Sequence, residues 1–300
     1  MFDVAIVGGG PAGLSAAIWL ARYLHSVVLV DSGDPRNWET RGVNGYLGHP
    51  AIKPAEIRGL GREECRRYGV TLVDACVDRV VKHDDERFEL VLEDGARLEG
   101  RRLLLAIGIR DVWPKIPGLE KVYGETAHVC PDCDGYEARD KHVIVVGKGR
   151  RAVGMALNLT TWTNRITICT NGERADLDHM LCEKLDGLGI PVVTAPIVKV
   201  GEEDGAIRWL EISGGIRVEC ERLFFSIAQY AADDLGAQLG CERDEDGQIL
   251  IDDRYHTSVY NVFAAGDIVP GPQLAIAAAS DGAIAALAIH KSLVPEERKL

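Results

Sequence analysis

The stretch "DVAIVGGGPAGLSAAIWLARYL", residues 3–24, decides how the chain is read. Val4, Ile6 and Val7 suit a buried strand, and Leu14, Ala17, Ile18 and Leu20 then follow a helical period. Between them Gly8, Gly10 and Gly13 stand in G-x-G-x-x-G spacing. The first glycine permits a tight turn, the second lets a pyrophosphate reach the backbone, and the third lets the helix pack on the strand. The N-terminus of such a helix offers free N–H groups and positive dipole character to phosphate. A second strand, "SVVLVD", ends at Asp31, 18 residues beyond Gly13. That is close to the roughly 20-residue offset at which an acid takes the ribose hydroxyls of a dinucleotide. The glycine motif alone is weak evidence, but strand, turn, helix, strand and acid in order are specific.

The pattern recurs. "HVIVVGKGRRAVGMALNLTTW", residues 142–162, is again strand, turn and helix, with Gly147, Gly149 and Ala152 in G-x-G-x-x-A spacing, and the strand "NRITICT" follows. The fold class read from this is α/β, with two Rossmann-like (three-layer) nucleotide-binding domains. Between them "LLLAIGIRDVWPKIPG" reads as a buried strand running into a Pro-containing crossing. Near the end "NVFAAGDIV" is a further buried strand, followed by the small-residue helix "QLAIAAASDGAIAALAIHKSL".

Composition narrows the function classes. Of 300 residues 46% are hydrophobic and 27% charged, as in a soluble globular protein. The formal net charge of -12 argues against nucleic acid and against an anionic membrane as partners. No run approaches the roughly 18 apolar residues of a spanning helix. The N-terminus has no basic region before its apolar run, so no export signal is read and a cytoplasmic, reducing setting is expected. Of eight cysteines only Cys130 and Cys133 lie close in sequence; Cys65, Cys76, Cys169, Cys182, Cys220 and Cys241 are expected to be ordinary core or surface residues.

"HVCPDCDGYE", residues 128–137, carries the chemistry. A structural zinc needs four ligands, and neither a second C-x-x-C nor more than His128 is at hand. A permanent disulfide does not suit a reducing compartment. A redox-active pair fits better, because a C-x-x-C turn holds two sulfurs within bonding reach and lowers one thiol's pKa. His128 reads equally as a tuner of these thiols or as a hydrogen-bonded histidine on the preceding strand.

Four landmarks in order, "GGGPAG" (8–13), "AIG" (106–108), "CPDCDG" (130–135) and "AAGD" (264–267), make the chain resemble the low-molecular-weight thioredoxin reductase family over almost its whole length. The resemblance implies a flavin domain split as 1–115 and 243–300, with a central domain of 116–242 inserted in it. It implies FAD, with Gly8, Gly10, Pro11, Ala12, Gly13 and Asp31 at its adenosine and pyrophosphate end. Gly108 and Gly266 are further cofactor-binding positions, Asp267 contacts the ribityl chain or a phosphate, and Gln273 and Ala275 lie near the flavin ring. It also implies a homodimer. Cys133 becomes the sulfur that exchanges electrons with the flavin, Cys130 the one that meets the substrate, and Asp134 the acid/base. Asp132 inside the loop is a departure, and an extra negative charge there raises the cysteine pKa values slightly.

The second dinucleotide unit departs further. The family holds the NADPH 2′-phosphate with a basic cluster after the strand that follows the second helix, and a phosphate needs such cations. Here "ITICTNGERADLD" has Thr170, Asn171 and Glu173 in that place, with Arg174 alone basic. Gly154 stands where the family carries an acid, and "SIAQYA" (226–231) replaces the usual I-G-x-x-P. Against this, Gly147 and Gly149 still admit a phosphate, Lys148, Arg150 and Arg151 are cationic, and Glu173 suits the ribose of NADH. "CPDCDGYE", "DPRN" (34–37), "GYLG" (45–48) and "TTWTNRITICTNG" resemble the NADPH-independent branch that includes the gliotoxin- and holomycin-type dithiol oxidases. The expectation is therefore an FAD-dependent thiol–disulfide oxidoreductase working without NADPH, delivering electrons to oxygen or receiving them from an external donor such as ferredoxin. Its substrate would be a thioredoxin-like protein or a small dithiol or disulfide. Two alternatives stand beside it: an NAD(P)H-dependent thioredoxin reductase with an atypical nucleotide site, and a flavin-containing redox sensor without turnover.

Overall fold

Phe2–Val7 is a parallel strand covered on both faces, with Val4, Ala5 and Ile6 fully buried. A computed structural model describes residues 1–36, 40–226 and 229–298 of the chain. Asn37 of "DPRN", and Ile227 and Ala228 of the 226–231 stretch, lie outside the described residues. The chain forms two units: described residues 1–36, 46–111 and 229–298 in the first, and 40–45 and 112–226 in the second. The sequence-based division at 115/116 falls four residues from the observed one, whereas that at 242/243 lies fourteen residues beyond it, so that 229–242 belong to the first unit. The pairing of Gln229–Ala231 with Ile109–Asp111 keeps both segments in the first unit.

In the first unit the strands Thr71–Asp74, Val27–Asp31, Phe2–Val7 and Arg97–Leu105 run parallel, in that order. The start of Arg97–Leu105 pairs antiparallel with Arg87–Leu92, and its end pairs parallel with Val262–Ala264. Helix Pro11–Arg22 makes the crossover from Phe2–Val7 to Val27–Asp31, with proline at its start, where a missing N–H costs nothing. Leu14, Ala17 and Leu20 are buried as the period predicts, while Ile18 is half-buried.

Helix Ala275–Leu293 packs against this helix through small residues. Gly282 lies in its interior, where glycine ordinarily costs about 1 kcal/mol relative to alanine. It is needed here because a β-carbon would lie 2.0 Å from the Ala12 carbonyl oxygen.

The second unit has a five-stranded parallel sheet in the order Val192–Val193, Ile166–Cys169, Val143–Val146, Arg222–Phe225, Ala127–His128. Helix Gly149–Leu159 follows Val143–Val146, as read from the sequence. An antiparallel sheet of Ile197–Glu203, Ala206–Ile212 and Ile216–Glu219 adds Ile197, Val200, Ile207 and Leu210 to the unit's core. Cys65, Cys169, Cys220 and Cys241 are buried, Cys76 is half-buried and Cys182 exposed. Among the described residues no helix is long and apolar enough to cross a membrane.

The packing yields a direct expectation. Gly282→Ala forces a β-carbon into backbone that has no side chain to move, so it should lower unfolding stability by about 1–3 kcal/mol in urea titration. Stability unchanged within error would show that the two helices have room to separate.

Candidate active site

Strand Ala127–His128 ends at the redox loop, and Pro131–Asp134 forms one short helical turn. Cys130 and Cys133 are joined as a disulfide with Cα atoms 5.3 Å apart. Cys130 caps the turn, its sulfur accepting the Cys133 N–H at 3.1 Å. A backbone N–H aimed at sulfur favours its thiolate form. Asp132 points outward and accepts a hydrogen bond from Asn158 Nδ2 at 3.0 Å. Trp162 lies against Gly135, where a β-carbon would come 2.5 Å from the indole. Gly135 is therefore required for this loop to pack.

Asp134 and His128 form a buried pair behind the cysteines. His128 Nδ1 lies 3.4 Å from Asp134 Oδ2, with side-chain exposures of 6% and 15%. Burial, reinforced by Glu137, pushes the Asp134 carboxyl up to about 7, against a weaker lowering by Asn44. Burial and the nearby Arg222 cation push His128 down to about 4. By distance the two make an ion pair, but both shifts favour the uncharged forms. At neutral pH His128 is therefore neutral, and the proton that titrates there belongs to Asp134. His128 keeps a hydrogen bond with the Glu125 backbone, while its buried Nε2 has no partner among the described residues.

Asn44 was not legible as a site residue. It comes from the 40–45 segment, about ninety positions earlier in the chain, and donates from Nδ2 to the Cys133 carbonyl at 3.3 Å and to Asp134 Oδ1 at 3.4 Å. Only the folded chain brings it there, and no spacing rule marks it.

In the first unit the glycine turn separates into tight and open positions. A β-carbon at Gly8 would lie 2.1 Å from the Ala106 carbonyl oxygen, and one at Gly13 would lie 1.9 Å from that of Gly8. At Gly10 nothing lies within 4 Å. This is the position whose backbone a pyrophosphate must approach, so the turn fits the FAD that the resemblance implies. Gly266, with φ +83°, sits over Ala12, and the position of Gly108, with φ +68°, is open. Asp31 reaches back over the turn, with a β-carbon at Gly9 falling 2.2 Å from its Oδ2. Arg58 and Arg62 engage that oxygen. Among the described residues Oδ1 accepts from the Gly33 N–H alone, at 3.2 Å, which leaves it a lone pair for a hydroxyl. Asp267 and Gln273 both contact Arg36 Nη1, each at 3.0 Å. Ala275 opens the small-residue helix.

The second glycine turn is filled by the chain itself. The Gly149 N–H donates to the Ala175 carbonyl at 2.8 Å, and a β-carbon at Gly149 would meet Asp176 at 3.7 Å. Lys148 is paired with Glu173, and Arg150 with Asp178 at 3.3 Å. Thr170 and Asn171 build the turn: the Thr170 hydroxyl donates to the Glu173 carbonyl at 2.6 Å, and Asn171 Oδ1 accepts the Ile197 N–H at 2.8 Å. Arg174 is exposed.

Comparison with known proteins agrees with the motifs. The family model of the pyridine nucleotide-disulphide oxidoreductases matches residues 2–282. The thioredoxin reductase tcpT of Claviceps purpurea is 32% identical over 275 residues, covering 88% of this chain and 86% of its own length. The thioredoxin reductase of Helicobacter pylori is 30% identical over 310 residues, covering 96% and 98%. The crystal structure of HlmI superposes with a TM-score of 0.92 at 34% identity, covering 98% of this chain and 93% of its own. The chain thus belongs to the pyridine nucleotide-disulphide oxidoreductases, as an FAD-dependent, thioredoxin reductase-like flavoprotein that carries out disulfide redox chemistry.

Proposed function

We propose that this flavoprotein oxidises a dithiol without using a pyridine nucleotide, passing its electrons through Cys130 and Cys133 to FAD and on to oxygen. The observation that carries this reading is the contrast between the two glycine turns. Gly10 faces open space, whereas the Gly149 amide is already bonded to Ala175 and the flanking cations are paired with Glu173 and Asp178. A phosphate approaching Gly149 would have to displace a carbonyl and break ion pairs, with no basic cluster beyond to hold its 2′-phosphate.

The first substrate thiolate attacks Cys130, the Cys130–Cys133 bond breaks, and Cys133 leaves as a thiolate. The second substrate thiolate then attacks the substrate sulfur of the mixed disulfide, releasing the substrate disulfide and the Cys130 thiolate. Two electrons now rest on the cysteine pair, and the two thiol protons have been set free. FAD, held at the Gly8–Gly13 turn, would supply the two-electron acceptor for the cysteine pair as its disulfide re-forms, with oxygen as the final acceptor, reduced with two protons to hydrogen peroxide. Asp134, with its carboxyl near 7, is divided between its two protonation states at neutral pH. It therefore suits both giving a proton to a leaving sulfur and taking one back. His128 beside it, kept neutral by burial, places Nδ1 3.4 Å from the Asp134 carboxyl in a site largely screened from water. A thioredoxin-like protein or a small dithiol satisfies this chemistry.

An anaerobic flavin spectrum tests the reading. A small dithiol should bleach the oxidised flavin band, NADPH and NADH should not, and air should restore it. Bleaching by NADPH at roughly micromolar levels, a typical KM range, would make the chain a nucleotide-dependent reductase. Bleaching by reduced ferredoxin alone would reverse the electron flow. Asp134→Asn should slow dithiol-driven flavin reduction by roughly a hundredfold while leaving FAD bound.

The same acid predicts a pH dependence of stability. Its folded carboxyl titrates near 7 against 3.8 for the free group, so between these values the folded chain keeps a proton that the unfolded chain has lost. Stability from this group is complete below the lower value and lost as pH rises through the upper one, on the order of 4 kcal/mol in all. Urea unfolding of the oxidised protein at about pH 4 and about pH 8 should therefore show a larger loss for wild type than for Asp134→Asn. Equal losses would remove the buried acid from the account.

A further inference from the structure

Arg36, from the "DPRN" stretch, is a partly buried cation for which the redox chemistry so far has no use. Its side chain is 13% exposed. Nε and Nη2 donate to Asp111 Oδ2 and Oδ1 at 2.9 and 2.8 Å, a bidentate pair. Nη1 donates to Asp267 Oδ2 and to Gln273 Oε1, both at 3.0 Å. Gln229, from the 226–231 stretch that departs from the family pattern, closes the network. Its Nε2 donates to Asp111 Oδ1 at 3.2 Å and to Gln273 Oε1 at 3.1 Å, and its own Oε1 accepts from Gln273 Nε2 at 3.0 Å. The guanidinium thus joins the segments of Asp111 and of Asp267 and Gln273, and Gln229 is tied in through Asp111 and Gln273.

The two carboxylates pose an electrostatic problem. Asp111 is 3% exposed and Asp267 is 21% exposed. FAD carries a diphosphate, and Asp267 is one of the groups expected to face it. An anion brought against a partly buried carboxylate is repelled unless a fixed cation offsets the charge. Arg36 is the cation that contacts both carboxylates among the described residues. Its planar fork also fixes the direction of the Asp267 carboxylate and the Gln273 amide, which a lysine ammonium would not do.

We propose that Arg36 is the positioning residue of the cofactor site, clamping Asp267 and Gln273 in their cofactor-facing geometry and supplying the positive charge that lets an anionic cofactor lie beside Asp267. The proposal rests on Asp267 and Gln273 facing FAD, but not on the identity of the electron donor. It also gives the altered 226–231 stretch a role in the first unit, through Gln229, in addition to any change in nucleotide use.

The test is FAD binding to the apoprotein, followed by quenching of flavin fluorescence, with thermal melting of each apoprotein as the structural control. Arg36→Gln should raise the FAD dissociation constant at least tenfold while the apoprotein still melts cooperatively near the wild-type temperature. Arg36→Lys, which keeps the charge but loses the fork, should recover at least threefold of that loss. If Arg36→Gln fails to fold, Asp111→Asn removes the bidentate seat of Arg36 and should weaken FAD severalfold. FAD affinity within twofold of wild type in the folded Arg36→Gln variant, or in Asp111→Asn where that variant is needed, overturns the proposal. So does equal weakening in the Gln and Lys variants with a parallel fall in apoprotein melting, which marks a purely structural clamp. Asp267→Asn separates the two levels: if FAD affinity is unchanged there, Asp267 does not face FAD and the underlying site assignment fails. If it falls there but not in Arg36→Gln, only the role of Arg36 fails.

Discussion

The first unit is organised by backbone packed so closely that a β-carbon has no place to go. Gly8 lies under the Ala106 carbonyl, Gly13 over the Gly8 carbonyl, and Gly282 of the last long helix over the Ala12 carbonyl. These contacts bring helix Pro11–Arg22 down onto its strand and the small-residue helix down onto that helix. The cofactor turn is thereby held rigid from two sides. Gly10 alone among the three motif glycines keeps its open side, and the helix N-terminus points its N–H groups there. Packing that closes around most of the motif is what leaves a defined space at the remaining position.

The second glycine turn shows how the same motif ends differently when the chain beyond it changes. Gly147 and Gly149 retain the spacing, and helix Gly149–Leu159 starts where it should. The segment after the strand Ile166–Cys169 then folds back, so that Ala175 takes the Gly149 amide and Glu173 and Asp178 take the cations. Acids placed where a phosphate site needs bases neutralise the turn's own Lys148 and Arg150. A nucleotide-type fold is preserved while the Gly149 amide, Lys148 and Arg150 have partners within the chain.

Burial governs the redox loop in the opposite sense to its charges. Two acids follow the cysteines closely, yet the important one is held near neutrality because desolvation outweighs every hydrogen bond offered to its ionised form. The same desolvation keeps His128 neutral. The loop therefore presents a sulfur with a backbone N–H aimed at it and an adjacent group able to exchange a proton at neutral pH.

The sequence by itself determined the α/β class, both glycine turns, the paired cysteines, Asp134 beside them, and the family. These are local signals: period, spacing and residue type within about thirty positions of one another. Side-chain partnership across the chain was not legible. Asn44 on Asp134, Arg58 and Arg62 on Asp31, and Arg36 joining Asp111, Asp267 and Gln273 are all brought together by sheet order and crossover. No periodicity encodes which distant arginine will reach a given carboxylate. The tertiary structure also decided which acid is buried enough to hold a proton near neutral pH, because that depends on how much water the surrounding elements exclude, and exclusion is a property of the folded chain as a whole.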